Sequence, residues 1–212
     1  MKINNLKNPL AKTSINKLFS VSITMNKWFH GDFMSSVGKP MTKWEINRLL
    51  FVRELYHDKL PSGTLNLFRY RNIKKIKNIK NLEGKTISGI VSKRKMQSWT
   101  ENIRAAEEFF KNTGYLHDLS IEWNSKYVPA ILSSEFSPPE IVLTYNMAYG
   151  FMKDFELLLI KKEKQGALDY IPGFTSLLAH RAEEFLIWKP QQEVIVYSPL
   201  RRKVKIEKVL EM

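Results

Sequence analysis

The order in which helix and strand patterns follow one another constrains the fold of this chain more than any other feature. Thr42 and Glu45 form a capping-box pattern, and apolar residues recur after them at helical spacing, which predicts a helix from residue 42 to about residue 58. Near the other end of the chain, the segments FLIW, EVIVY and KVKIEKV have strand patterns. Helices that come early and strands that come late favour an α+β domain.

The middle of the chain adds further elements. Strand patterns occur in three segments, namely TLNLFRYR at 64 to 71, TISGIVS at 86 to 92 and EIVLTY at 140 to 145. The segment SWTENIRAAEEFFK, at 98 to 111, is predicted to carry a helix, and a longer helix is expected from about residue 148 to residue 164. The basic segment from 72 to 85 fits either a short amphipathic helix or a loop, and residues 118 to 136 have no distinct pattern.

Several classes of site lack the residues that they need. The chain has no cysteine, which excludes disulfides and thiolate metal ligands. Its four histidines lack the spacing of a zinc site, so we expect no metal. A phosphate-binding P-loop before Gly84 and Lys85 needs a glycine where Ile79 stands, and no glycine-rich dinucleotide fingerprint occurs.

The N-terminal region is basic but lacks the pattern of an export signal. Its apolar residues are interrupted by Ser20, Ser22 and Thr24, and no apolar run approaches the roughly 20 residues that span a bilayer. These features predict an intracellular protein, cytoplasmic and without a membrane partner.

The basic charge is concentrated in one tract. The 212 residues carry a net charge of +13, and between residues 69 and 95 ten basic residues face the single acid Glu83. The ten are Arg69, Arg71, Lys74, Lys75, Lys77, Lys80, Lys85, Lys93, Arg94 and Lys95. Such a tract attracts polyanions, which makes nucleic acid the leading partner, although a solvated lysine-rich surface has the same composition.

Three short motifs follow one another in a recognisable order. They are Arg69 in LFRYR, Ser98 and Thr100 in SWT, and Gln191 with Glu193 in QQEVIVY. This order resembles the Arg, Ser-x-Ser/Thr and Gln/Glu-x-Glu motifs of the toxin-like mono-ADP-ribosyltransferases, over about residues 42 to 209. The resemblance implies a split β-sandwich fold in a single catalytic domain, residues 42 to 212. Residues 1 to 41 would then be an N-terminal extension of unassigned role, preceding an early helical region.

The resemblance also implies roles for these side chains, with NAD as the substrate. Glu193 would stabilise the cation that forms at the ribose, because glycosidic cleavage passes through an oxocarbenium-like state. Arg69 would bind the pyrophosphate through its planar guanidinium, and Arg71 is an alternative for that role. Ser98 would orient Glu193, and Thr100 would complete the NAD site.

The acceptor of the ADP-ribose is a separate question. Side chains at 191 and 193 share one face of a strand, so Gln191 and Glu193 can address one pocket. In the family, the residue at the position of Gln191 helps to choose the acceptor, and an aromatic at the position of Trp188 contributes to its recognition. The basic tract, from Arg69 to Lys95, favours a nucleic-acid base as the acceptor over a protein side chain. Water as the acceptor would make the chain an NAD glycohydrolase.

Each motif also has a structural explanation. SWTE fits a capping box of Ser98 with Glu101, and Glu193 could be a charge that protects an edge strand. Arg69 could be a surface residue, and Trp188 could be a core or interface residue. A protein that only binds nucleic acid through its basic tract is therefore the alternative from a different class.

An enzyme that consumes NAD inside a cell must be controlled or delivered. By analogy with the family, the expected setting is a toxin or a phage-defence effector in a bacterial or phage-infected cell. An antitoxin or other inhibitor protein is then an expected partner.

Overall fold

The structure is a computed structural model, and it describes residues 8–29, 42–74, 79–90, 96–108, 127–165, 193–197 and 201–210. The chain divides into two compact units. The helical unit comprises Met1–Leu60 and Leu143–Lys189, and the sheet unit comprises Pro61–Val142 and Pro190–Met212.

Three helices form the described part of the helical unit. They are α1 (Ile15–Phe29), α2 (Lys43–Leu55) and α3 (Tyr145–Lys164), and a short 3-10 turn, His57–Lys59, follows α2. Leu18, Val21 and Met25 of α1 are fully buried at intervals of three and four residues, the spacing of one helix face. Phe151 and Phe155 of α3 are buried at the same kind of interval, so amphipathic helices supply this core.

Polar contacts fix the ends and the packing of these helices. The Thr42 side chain accepts a hydrogen bond from the Glu45 amide, and Glu45 accepts one from the Thr42 amide, which completes the predicted capping box. Thr144 caps α3 in a similar way, through the Met147 amide. Arg48 of α2 donates to Thr24 of α1 at 3.0 Å, so α1 and α2 are joined by a side-chain bond as well as by apolar contact.

The strands form one sheet of seven. They are β1 (Leu65–Lys74), β2 (Thr86–Ile90), β3 (Met96–Thr100), β4 (Tyr127–Phe136), β5 (Ile141–Thr144), β6 (Glu193–Tyr197) and β7 (Arg201–Val209). Their order across the sheet is β2-β7-β4-β1-β3-β6-β5. The β1–β3, β1–β4, β2–β7, β3–β6 and β4–β7 pairings are antiparallel. The chain is therefore a mixed α/β protein, with an antiparallel arrangement in these pairings.

Apolar clusters lie on both faces of the sheet. On one face, Trp99 of β3 packs edge-on against Phe136 of β4, with their ring centroids 5.0 Å apart. On the other face, Ile131 packs with Phe68 and Tyr70 of β1. Ala106, in the helical segment 103 to 108, and Leu210, after β7, complete this second cluster. The sheet is thus packed on both faces around β1 and β4.

Most of the predicted elements are present in the structure. The helix expected from 42 to 58 is α2 with its 3-10 turn, and the strands expected in TLNLFRYR, TISGIVS, EIVLTY, EVIVY and KVKIEKV are β1, β2, β5, β6 and β7. The helix expected from residue 148 begins at Tyr145, because Thr144 caps it. Of the ambiguous segment 72 to 85, the first residues extend β1 and Ile79–Leu82 form a 3-10 turn. The FLIW strand and the turns at Pro190 and Pro199 lie outside the described residues.

Two strands differ from the sequence interpretation. The sequence predicted that SWT directly precedes a helix and forms one segment with it. In the structure, Ser98 and Thr100 lie in strand β3, and the helix starts at residue 103. Much of the segment from 118 to 136, which has no distinct pattern, is the ten-residue strand β4. Pro129 and two buried serines interrupt the apolar pattern of β4, which is why alternation did not identify it.

Within the described ranges, no helix is both long and apolar enough to cross a membrane.

Candidate active site

The three motifs lie on three neighbouring strands of the sheet unit. Arg69 is in β1, Ser98 is in β3 and Glu193 begins β6, and these strands follow one another in the order β1-β3-β6. The register places Thr100 opposite Phe68 on one side and opposite Glu193 on the other. Residues far apart in the chain therefore meet within two strand spacings, or roughly 10 Å.

Ser98 and Glu193 are in direct contact. The Ser98 hydroxyl donates a hydrogen bond to Oε1 of Glu193, across 95 residues of sequence. Antiparallel pairing puts Ser98, Thr100 and Glu193 on one face of the sheet, because alternate residues of β3 share a face and Glu193 is opposite Thr100. Ser98 and Glu193 are both partly exposed. We call this side the Glu193 face.

The opposite side, the Trp99 face, holds Arg69. Nη1 of Arg69 donates to Oε1 of Gln97 at 3.1 Å, and Nε1 of Trp99 donates to the same oxygen at 3.2 Å. Gln97 and Trp99 are only 1% and 2% exposed. Because residues 97 and 99 alternate with Ser98 along β3, this network lies on the face of the sheet opposite to the Ser98 side chain. The structure brings Arg69 to the neighbouring strand but does not place its guanidinium beside Glu193.

Thr100 takes part in a turn that starts the next helix. Its Oγ1 accepts a hydrogen bond from the Asn102 amide at 3.0 Å, and Oδ1 of Asn102 accepts one from the Arg104 amide at 3.0 Å. The Ala106 amide then donates to the Asn102 carbonyl, which makes Asn102 the N-cap of the helical segment 103 to 108. The explanation of SWTE as a capping box of Ser98 and Glu101 is wrong, because Ser98 is within a strand.

The explanation of Glu193 as an edge-strand charge is also wrong. β6 lies between β3 and β5 in the sheet, so it is not an edge strand. Val194, Ile195 and Val196 are fully buried, and Glu193 stands at the start of this apolar strand with its carboxylate bonded to Ser98. A carboxylate in such a position needs hydrogen-bond donors, and Ser98 supplies one.

The remaining predicted site residues fall into two groups. Arg71 lies in β1, Lys74 is its last residue and Lys80 is in the 3-10 turn Ile79–Leu82. The others lie outside the described residues, namely Trp188 and Gln191 of the acceptor site and Lys75, Lys77, Lys93, Arg94 and Lys95 of the basic tract.

The sequence interpretation missed two exposed lysines on β7. Lys203 and Lys205 pair with Ser88 and Thr86 of β2, and all four residues are exposed. Lys205 is also opposite Ser133 and donates to Glu207 at 2.9 Å. The alternation of lysine with apolar residues in KVKIEKV was the signal that could have identified them.

Among the described residues, no group of three or more histidine or acidic side chains could hold a metal ion. Comparisons of the chain with protein-family models, with curated proteins and with solved structures gave no match.

Proposed function

We propose that this chain cleaves the bond between nicotinamide and ribose in NAD and transfers the ADP-ribose to an acceptor. The observation that carries the proposal is the hydrogen bond from Ser98 to Glu193, between the two motifs whose family roles require such a contact. The adjacency of the motif strands β1, β3 and β6 supports it further.

Cleavage of the bond between nicotinamide and ribose requires a carboxylate in a fixed orientation near the ribose, and Glu193 would supply it. The bond between C1′ of the ribose and the ring nitrogen of nicotinamide breaks, and its electron pair leaves with the nicotinamide. Positive charge grows on C1′ and the ring oxygen, where the Glu193 carboxylate stabilises it. A lone pair of the acceptor then forms the new bond to C1′, and the acceptor releases its proton. The hydrogen bond from Ser98 keeps the carboxylate in one orientation throughout.

The finer fold belongs to the same proposal. A split β-sandwich of the ADP-ribosyltransferase type would carry the motifs on neighbouring strands, as β1, β3 and β6 do here. Residues 42 to 212 would be the catalytic domain. The helical unit includes α1 together with α2, so residues 15 to 29 would support that domain through the bond from Arg48 to Thr24.

Nucleic acid is the acceptor that the charge favours. The net charge is +13, and the exposed residues Lys203 and Lys205 add to the predicted basic tract. A basic surface attracts nucleic acid without regard to sequence, whereas a protein acceptor gives no general reason for such a charge. Trp188 and Gln191 would recognise the base. The chain would act as a toxin or phage-defence effector in the bacterial cytoplasm, where an antitoxin protein would restrain it.

Transfer of label from NAD tests this function. The protein is incubated with NAD labelled in the adenylate and with separate pools of RNA, DNA and cell protein, and the label in each pool is counted. We expect label on nucleic acid with the wild type, and label reduced about 100-fold or more with Glu193→Gln. Label on protein alone would overturn the acceptor assignment, and free ADP-ribose alone would indicate a glycohydrolase. Nucleic-acid binding without any NAD consumption would contradict the enzyme and support a binding protein.

A further inference from the structure

The backbone pairing between β1 and β3 is short. Among the described residues, the β1–β4 ladder extends over ten residue pairs, whereas β1 and β3 share the single register pair Phe68–Thr100. β3 is nevertheless the strand that presents Ser98 to Glu193. Its position relative to β1 must therefore depend on side chains as well as on backbone hydrogen bonds.

The side-chain network on the Trp99 face supplies that link. The Gln97 amide oxygen receives two donors, the guanidinium of Arg69 from β1 and the indole of Trp99 from β3 itself. A carbonyl oxygen has two lone pairs, so these donors can satisfy it completely. Cζ of Arg69 also lies 5.9 Å from the centroid of the Trp99 ring, within the range of a cation–π contact. We call Arg69, Gln97 and Trp99 the β3 clamp.

The clamp includes both chain neighbours of Ser98, namely Gln97 and Trp99. Gln97 and Trp99 are almost completely buried, and a buried hydrogen bond from a charged donor is stronger and more rigid than one in water. With residues 97 and 99 both held on the Trp99 face, the backbone at residue 98 is fixed and the hydroxyl points to the Glu193 face. The clamp on one face of the sheet is thus connected, through the backbone of residue 98 and the Ser98 hydroxyl, to the Glu193 carboxylate on the other face.

We propose that Arg69 is a positioning residue, which acts through Gln97 and Trp99 to hold Ser98 next to Glu193. This inference rests on the proposed function for its kinetic consequences, and it replaces the pyrophosphate contact that the motif resemblance implies for Arg69. If Arg69 bound the pyrophosphate of NAD, removing its guanidinium would raise the KM for NAD. A positioning residue lowers kcat and leaves the affinity for the nucleotide largely intact.

The kinetic test compares Arg69→Met, Gln97→Met and the double variant in NAD cleavage and in the binding of ADP, which carries the adenosine and pyrophosphate of NAD without the nicotinamide riboside. Lys153→Met removes an exposed charge from α3, outside every proposed site, and serves as the control. We expect each single variant to lower kcat about 10-fold or more, consistent with the loss of a charged hydrogen bond, with the Kd for ADP changed less than about 3-fold. The double variant should be no worse than the poorer single variant, because both disrupt one network. The assignment is overturned if Arg69→Met weakens ADP binding 10-fold or more while Gln97→Met does not.

A spectroscopic measurement tests the clamp even if the chain cleaves no NAD. The indole N–H of Trp99, identified by its loss in Trp99→Phe, gives a separate proton–nitrogen resonance. Both Arg69→Met and Gln97→Met should move this resonance, because they change the acceptor or its other donor, whereas Lys153→Met should leave it in place. A Trp99 resonance unmoved by both substitutions would refute the clamp. An intact clamp in a protein that leaves NAD untouched would refute the proposed function instead.

Discussion

The Ser98 hydroxyl donates a hydrogen bond to the Glu193 carboxylate across the β3–β6 pair, 95 residues apart in sequence. This contact depends on β3 and β6 pairing with Thr100 opposite Glu193, since a slip of one residue would turn Ser98 to the other face. It joins two motifs that the sequence separates, and it excludes the simplest structural explanation of each, a helix cap and an edge charge.

The first prediction concerns the Ser98 hydroxyl. Ser98→Ala removes the donor, and a hydrogen bond to a charged group contributes about 1.5–3 kcal/mol, so NAD cleavage should fall roughly 10- to 100-fold. Ser98→Thr keeps a hydroxyl and should retain more activity than Ser98→Ala. Steady-state rates of nicotinamide release compare the three proteins. Equal rates for wild type and Ser98→Ala would show that Ser98 does not orient the carboxylate.

The second prediction separates Ser98 from the helix that follows it. Asn102 is the N-cap of the segment 103 to 108, so Asn102→Ala should lower the free energy of unfolding by about 1 kcal/mol. Urea denaturation measures this change. Asn102→Ser, which preserves a capping oxygen, is the matched control and should lose less stability than Asn102→Ala. If Asn102→Ala is as stable as the wild type, Asn102 does not cap this helix.

The third prediction concerns the core of the helical unit. The hydroxyl of Tyr56 donates to Oδ2 of Asp154 at 2.7 Å, joining the end of α2 to α3. Burial, followed by the hydrogen bond and the charge of Asp154, raises the pKa of Tyr56 well above its usual value, so the hydroxyl remains a donor at neutral and moderately alkaline pH. Tyr56→Phe should lower the free energy of unfolding by about 1–3 kcal/mol, because it leaves a part-buried carboxylate oxygen without this donor. Tyr149→Phe, on an exposed side chain of α3, should have little effect.

The fourth prediction is a pH dependence of stability in the sheet unit. Glu140 forms an ion pair with Arg202, whose guanidinium also lies 3.9 Å from the centroid of the Phe136 ring. Burial acts to raise the pKa of Glu140, but hydrogen bonds from Arg202 and Ser137 and the charge of Arg202 outweigh it. The folded-state pKa is therefore below the ordinary value of 4.5. The stabilisation is complete above that ordinary value and disappears as the pH falls through the lower folded-state pKa.

Denaturation of the wild type and Glu140→Gln between pH 7 and pH 3 measures this contribution. The difference in unfolding free energy between the two proteins should be largest near neutral pH and should shrink as the pH falls below 4.5. A difference that stays constant down to pH 3 would show that the ionised form of Glu140 does not stabilise the fold.

Local patterns were sufficient where the determining contacts are local. The capping box of Thr42 and Glu45 forms both of its hydrogen bonds, and the strand patterns of EVIVY and KVKIEKV predicted β6 and β7. β4 was not predicted because its serines find partners only in the folded sheet. Ser133 donates to Glu207 at 2.5 Å, and Ser134 donates to the Lys203 carbonyl at 3.0 Å.

The face on which Arg69 lies could not be predicted from the sequence. It depends on the Phe68–Thr100 register, which joins residues 32 positions apart, and on the acceptor oxygen of Gln97. A glutamine between Met96 and Ser98 gives no local signal of burial, since its two donors come from side chains on β1 and β3. The order of the motifs indicated neighbouring strands, but only the register distinguishes one face of the sheet from the other.

The most direct test of the account is the release of nicotinamide from NAD by the wild type and by Glu193→Gln. Glu54→Gln, on an exposed carboxylate of α2, is the control for loss of an acidic charge. We expect steady release by the wild type and by Glu54→Gln, and a rate reduced about 100- to 1,000-fold in Glu193→Gln, because the substituted side chain cannot stabilise the ribosyl cation. Release at the wild-type rate by Glu193→Gln, or no release by the wild type, would contradict the account.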